Sequence, residues 1–283
     1  MKLKPPQYSR LIRQSSRQTH QFIRKLGCKE NERIRFLFVH DAKRNRPHST
    51  SSGHKPAIKL NKPLKLIESQ VTQMSLHSGS GKPVHMLNQN AKGYAVFMEI
   101  NRREGQSGEI KAIRAQFIDV DLNKISVLAG TKEQAMQRMN AIRSNPAEQI
   151  QSFAITRNKQ GQYRLLAHRT QGRIAKLKRD FLKKHRNRIK NAMIIETNNG
   201  FHIYWVMQGG SISRFVPIQK ALASKFGADP MITNLSRVMR VPGFYHMKNP
   251  DAPYMVRVIQ WGRKKPFTQD ELIASLSLKP IRN

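Results

Sequence analysis

Residues 116–122 read Gln-Phe-Ile-Asp-Val-Asp-Leu, a short run whose branched and aromatic residues favour an extended strand. Side chains of a strand alternate between faces. Phe117, Asp119 and Asp121 therefore share one face, and Ile118, Val120 and Leu122 share the other. Any fold that accepts this strand must bury the aliphatic face and leave two carboxylates together on the opposite one. Their Cα atoms lie roughly 6–7 Å apart at the strand rise. Like charges that close repel unless a cation stands between them. Carboxylate oxygens suit Mg²⁺ or Mn²⁺. A metal anchor is the sharper expectation. A solvated strand end is the plain alternative, because this spacing is common on its own.

The two acids stand in a strongly basic chain. Its 283 residues hold 52 Lys+Arg against 17 Asp+Glu, a formal net charge of +35. That excess is far beyond what solubility needs and points to a polyanionic partner, nucleic acid first. A ribosomal or anionic membrane surface would satisfy the charge equally well. Cys28 is the lone cysteine, which excludes an internal disulfide framework and a Cys-rich zinc site. No apolar run reaches the roughly 18–20 residues that span a bilayer. The basic N-terminus is not followed by an apolar signal core. The expected address is cytoplasmic, with no membrane partner.

Three parts are expected: a basic flexible arm over 1–17, a core over 18–265 and a short helical tail over 266–283. Thr19–Leu26 predicts a helix stopped by Gly27, and Arg33–His40 a strand. Ala42–Pro56 reads as a loop, Pro63–Ser75 as a short helix and His77–Lys82 as a turn. Val84–Gln89 follows, then the strand Tyr94–Asn101 and a polar loop over Arg102–Lys111. Thr131–Ile142 fits a helix with Ala135, Met136, Met139 and Ile142 at helical spacing. Gln151–Arg157 and Gln162–Ala167 predict a hairpin. Ala192–Glu196 and Phe201–Gln208 predict a second one across an Asn-Gly step. Ser211–Phe226 is helical in pattern, with Pro217 in its first turn. Thr233–Val238 is a short element, and Pro242-Gly243 is a turn. Tyr254–Gln260 is a strand, and Thr268–Leu276 is a helix with a Thr268/Glu271 capping box.

The most basic segment runs from Arg157 to Lys190, with thirteen Lys and Arg and one acid, Asp180. Within it Gly172–Ile189 is a helix with cationic faces. Arg173, Lys176, Lys183 and Lys184 are its candidate DNA-backbone contacts. A solvated helix surface is the bland alternative.

Further candidates lie downstream. His202, just past Gly200, shares a strand face with Tyr204 and Val206. Asp229 suits a third metal ligand, or a turn before Pro230. Arg237 and Arg240 stand three apart and would share a face on a helical turn, reaching one anion together. Lys248 adds a positive charge.

In this order the pieces resemble the archaeo-eukaryotic primase superfamily, in particular the RepB-like primases of plasmids and phages. The resemblance rests on the Ile118–Asp121 strand and on Gly200-x-His202 with Tyr204-Trp205. It also rests on Asp229 with the tract Ser236–Gly243, and on Leu87-Asn88, Gly93–Phe97 and Asn101 upstream. It spans about Phe36 to Lys248. It implies an α+β core with a mostly antiparallel, RNA-recognition-like (RRM-like) sheet flanked by helices. It implies that Asp119, Asp121 and Asp229 bind Mg²⁺ or Mn²⁺ as catalytic acids, and that His202 contacts the phosphates of an incoming NTP or dNTP. Arg237, Arg240 and Lys248 would help hold the triphosphate or template. Single-stranded DNA is the implied template, and a separate replicative helicase a further partner. Two departures stand out: the basic insert over 157–190, and the lack of an extended domain after Thr268. Two other readings compete. A rolling-circle initiator needs His-x-His and a nucleophilic Tyr, and the first is missing. A non-catalytic basic nucleic-acid-binding replication protein explains the charge without a metal.

Overall fold

The computed structural model describes residues 17–29, 33–40, 58–63, 75–77, 83–104, 109–247 and 252–280. A helix over residues 17–25 (α1) comes first. Then come β1 (Arg33–His40), β2 (Ile58–Pro63), β3 (Ser75–His77), β4 (Pro83–His85), α2 (Met86–Ala91) and β5 (Tyr94–Glu99). β6 (Arg102–Glu104), β7 (Glu109–Ala112), β8 (Ala115–Asp121), β9 (Lys124–Ala129) and α3 (Lys132–Arg143) follow. Next are β10 (Ile150–Arg157), β11 (Tyr163–Arg169), α4 (Gln171–Ile189), β12 (Met193–Glu196), β13 (Gly200–Val206) and α5 (Phe215–Phe226). The order ends with β14 (Val238–Arg240), β15 (Tyr245–His246), β16 (Tyr254–Met255), β17 (Arg257–Gln260) and α6 (Gln269–Leu276).

The result is a mixed fold of helices and largely antiparallel sheets, and it divides into two compact units. The first holds the described residues up to Asp119, residues 191–198 and those from His202 onward. It contains a sheet ordered β14-β5-β1-β2 and most of a second ordered β17-β12-β13-β8. β1 alternates as its sequence demands: Ile34, Phe36 and Phe38 are buried, while Arg35, Leu37 and Val39 are half-buried. β13 is buried at all seven positions, as an inner strand must be. Its Trp205 packs on Phe226 of α5 at 5.5 Å between ring centroids. Phe117 of β8 meets Tyr204 at 5.9 Å and Phe215 at 6.0 Å. Burying rings of this size stabilises by about 2–3 kcal/mol each. α1 contributes Phe22, Ile23 and Leu26 to the core and ends at Gly27, whose φ of +74° suits a residue without Cβ.

The second unit holds residues 120–190 and 199–201. Its sheet runs β10-β11-β9, antiparallel throughout, with α3 against it. α4 buries one stripe, Ile174, Lys178, Phe181, His185 and Ile189. Phe181 stacks on Phe201 at 5.8 Å.

Several local expectations are corrected. Arg102–Lys111 is not a plain loop: β6 and β7 form a two-stranded ribbon. Val84–Gln89 splits into the end of β4 and the start of α2. β9 is a strand that the sequence pattern does not separate from β8, because Lys124-Ile-Ser-Val-Leu-Ala follows the acidic strand with little polar break. In α3 only Ala135 of the expected apolar stripe is buried, and Met136 is 44% exposed. α5 begins at Phe215 rather than Ser211, with Pro217 in its first turn. Pro63 and Ser75 lie in β2 and β3 rather than in a helix. Residues 64–74, the expected loop over Ala42–Pro56 and most of the turn at 77–82 lie outside the described residues, as does most of the N-terminal arm.

Candidate functional site

β8 is an outer strand of its sheet, so one edge of its backbone needs partners other than a strand. Gln219 of α5 supplies them. Its Oε1 accepts from the Phe117 N–H at 2.9 Å, and its Nε2 donates to Phe117 O at 2.8 Å and to Ile232 O at 2.9 Å. Two residues on, the Asp229 N–H donates to Asp119 O at 3.1 Å. α5 therefore ties β8 to the turn that follows it. That turn opens at Gly227, whose φ of +61° ends the helix in the left-handed region.

The strand delivers Asp119 half-buried, with its side chain 30% exposed. His202 of β13 lies beside it, Nε2 to Oδ1 at 3.8 Å, close in electrostatic terms but too long for a hydrogen bond. His202 is 6% exposed. Its pKa is pushed down to about 3, chiefly by burial, then by the positive charges of Arg240, His246 and Arg237. The imidazole is therefore neutral at pH 7, and its Nδ1 is buried without a hydrogen-bond partner among the described residues. Tyr204 lies further along the same strand face, fully buried. Its hydroxyl has no hydrogen-bond partner among the described residues either, and burial followed by the Asp119 charge pushes its pKa up.

The arginine tract arrives differently from the expected helical turn. Val238–Arg240 is β14, paired antiparallel with β5 through Val238↔Glu99, Met239↔Met98 and Arg240↔Phe97. Residues three apart in extended chain do not share a face. Yet Arg237 and Arg240 both act on the His202 charge, because the whole tract is docked there. Arg240 lies over the Phe97 ring at 4.8 Å. Asn101, 2% exposed, donates to Leu235 O at 3.1 Å and accepts from the Arg114 N–H at 3.1 Å. Asn101 and Gln219 are polar residues fully committed to the backbone. Nothing in the sequence flags Gln219, and His246 likewise carries no signal.

Asp121, two residues past Asp119 on β8, belongs to the second unit. Its Oδ1 accepts from the Asn123 N–H at 3.0 Å, and its Oδ2 lies 3.3 Å from Lys124 Nζ. Gly200 needs to lack a side chain: a Cβ there would collide with the Val120 carbonyl oxygen. The Leu122 N–H donates to Asn199 O at 2.8 Å beside it.

The three acids are not equally placed for a cation. Asp119 is half-buried beside His202, and Asp121 of the second unit is engaged by the Asn123 N–H and Lys124. The Asp229 carboxylate instead caps its own turn, with Oδ1 accepting from the Met231 N–H at 2.9 Å. Among the described residues no three His, Cys, Asp or Glu side chains are grouped to hold a metal ion. Asp119 of the first unit offers the hard oxygen donors that Mg²⁺ takes, one or two carboxylates with water or phosphate oxygens for the rest.

Of the basic candidates, Arg173 is half-buried with its guanidinium 3.7 Å from Glu148, which Arg169 also engages at 2.7 Å. Lys176, Lys183 and Lys184 are exposed on α4. Lys248 lies outside the described residues. No described helix is long and apolar enough to cross a membrane.

Solved structures similar to the chain share little sequence with it. The AEP domain of the cyanophage S-2L primase-polymerase is 12% identical, covering 92% of this chain and 96% of that one, with a TM-score of 0.48. The catalytic domain of primase RepB′ in complex with initiator DNA is 13% identical, covering 93% and 92%, with a TM-score of 0.45. Primase RepB′ is 12% identical over 94% of this chain and 61% of that one, with a TM-score of 0.44. No curated protein matches the chain. The family model of the RepB DNA-primase N-terminal domain matches residues 111–280, more than half of the sequence and the stretch that holds Asp119, Asp121, His202, Asp229, Arg237 and Arg240. The chain belongs to the RepB DNA-primase N-terminal domain family, the RepB-like primases that its motifs resemble.

Proposed function

We propose that the chain is a template-directed nucleotidyltransferase that makes primers on single-stranded DNA in plasmid or phage replication. A 3′-hydroxyl attacks the α-phosphate of a bound NTP or dNTP, and pyrophosphate leaves. His202 is the neutral hydrogen-bonding group beside a triphosphate oxygen. Arg237 and Arg240, with Lys248, balance the triphosphate charge and stabilise the departing pyrophosphate. Asp119, Asp121 and Asp229 would hold the divalent cation, Mg²⁺ or Mn²⁺, as the family resemblance implies. Such a cation, when bound, lowers the pKa of the attacking hydroxyl and neutralises developing charge. The protein acts in the cytoplasm, and a separate replicative helicase opens the duplex.

One observation carries this reading. A buried imidazole held neutral stands beside a half-buried carboxylate, with two guanidiniums acting on it. These groups come from β8, β13 and the 237–246 tract, three segments far apart in sequence. Structural histidines seldom need that company, whereas a phosphate-handling one does. The charge of α4 alone would also suit a non-catalytic DNA-binding protein. Labelled nucleotides offered with a single-stranded template, with and without Mn²⁺, separate the two. The expected result is metal-dependent, template-directed incorporation. Tight DNA binding with no incorporation under any metal would leave only the binding protein.

A further inference from the structure

The strongest feature that the proposed chemistry does not use is the outer surface of α4. The helix is anchored through one stripe, Ile174, Lys178, Phe181, His185 and Ile189, with Phe181 on Phe201 and Lys178 Nζ 5.9 Å above the same ring. Two positions further round, at alternating steps of three and four, come Lys176, Arg179, Lys183 and Arg186, then Lys190 at the C-cap. At 100° per residue this ridge points away from the buried stripe, and all five residues are exposed. At about 1.5 Å rise per residue, neighbours in the row are about 4.5–6 Å apart and the row is about 21 Å long. Lys183, Lys184, Arg186, Asn187, Arg188 and Lys190 line a shallow open depression at its end.

Such a row opposes helix stability, because like charges three and four apart repel. The helix dipole favours cations only in the last turn, so it does not account for Lys176, Arg179 or Lys183. Asp180 is the one acid on the helix. Arg173 shows the alternative, a cation on the same helix turned to an acid partner, Glu148.

We propose that this ridge, Lys176, Arg179, Lys183, Arg186 and Lys190, is the track that grips the backbone of single-stranded DNA. A single file of point charges matches one phosphate chain rather than the two of a duplex. The inference deepens the proposed function by locating the template, and it is testable without nucleotide or metal. The experiment is binding of a labelled oligo-dT to the full chain across a salt series. Each phosphate neutralised on a single strand adds about 0.7 to the slope of log affinity against log salt. The double variant Lys183→Gln/Arg186→Gln is expected to flatten that slope by about 1.4 and to weaken binding at least tenfold at low salt. Lys132→Gln/Arg138→Gln, on exposed α3, is the charge-matched control and is expected to leave the slope unchanged. Circular dichroism confirms that both variants are folded. An unchanged slope in the α4 variant overturns the proposal. So does equal flattening in the control, or a duplex of the same length bound as tightly and losing as much on substitution. Failure of nucleotide incorporation in the wild type would overturn the enzymatic reading and leave this one standing.

Discussion

A proton added to His202 would sit in a buried pocket already facing Arg237 and Arg240, so the folded protein resists it. The folded pKa of about 3 lies below the ordinary value of 6.5. Between those values the unfolded chain binds a proton that the native one does not. The associated stability is therefore complete above pH 6.5 and is lost as pH falls toward 3, by about 1.4 kcal/mol per pH unit. Unfolding followed against pH in metal-free buffer should show that slope, and His202→Gln should remove it. An identical slope in the variant would show that the proton goes elsewhere. In synthesis, His202→Ala is expected to raise the nucleotide KM about tenfold or more while DNA binding stays unchanged. The strands that carry Asp119 and His202 are legible in the sequence, because strand alternation and a glycine turn leave marks there. Gln219 could not: one glutamine in a helix looks like any other until its amide is seen bonded to two backbone segments.

At the level of elements, the acidic strand depends on neighbours that never touch a substrate. Gln219→Met would keep the volume but strand the Phe117 N–H and two carbonyls, each a buried group that wants a partner. About 3 kcal/mol of destabilisation is expected in urea unfolding, and a change under 1 kcal/mol would refute the clamp. Gly200→Ala would force a Cβ onto the Val120 carbonyl. A loss of about 2–3 kcal/mol is expected, together with reduced nucleotide incorporation, since Val120 separates Asp119 from Asp121. β1, the two hairpins, α4 and the capped α6 were legible because their periods and turn residues agree. The arginine tract was not. Arg237 and Arg240 three apart suggest a helical turn, but Val238-Met-Arg finds ladder partners on β5, and pairing overrides local spacing.

Across the whole molecule, the basic charge and the order of the segments carried most of the functional reading. The division into two units left no trace in composition, because its first boundary falls inside β8, between Asp119 and Val120. A strand cannot carry a linker signature. The geometry of the third candidate acid is the part least legible in the sequence. Asp229 is drawn to Asp119 through its backbone, while its carboxylate serves the local turn. Sequence order places segments, and only side-chain geometry says which atoms they present. The central claim is that the Asp119 carboxylate serves nucleotidyl transfer rather than folding. Its direct measurement is incorporation of labelled nucleotide on a primed single strand with Mn²⁺, wild type against Asp119→Asn, with oligo-dT affinity measured in parallel. The account predicts a loss of at least a thousandfold in rate with affinity unchanged. Incorporation by Asp119→Asn at the wild-type rate would contradict it.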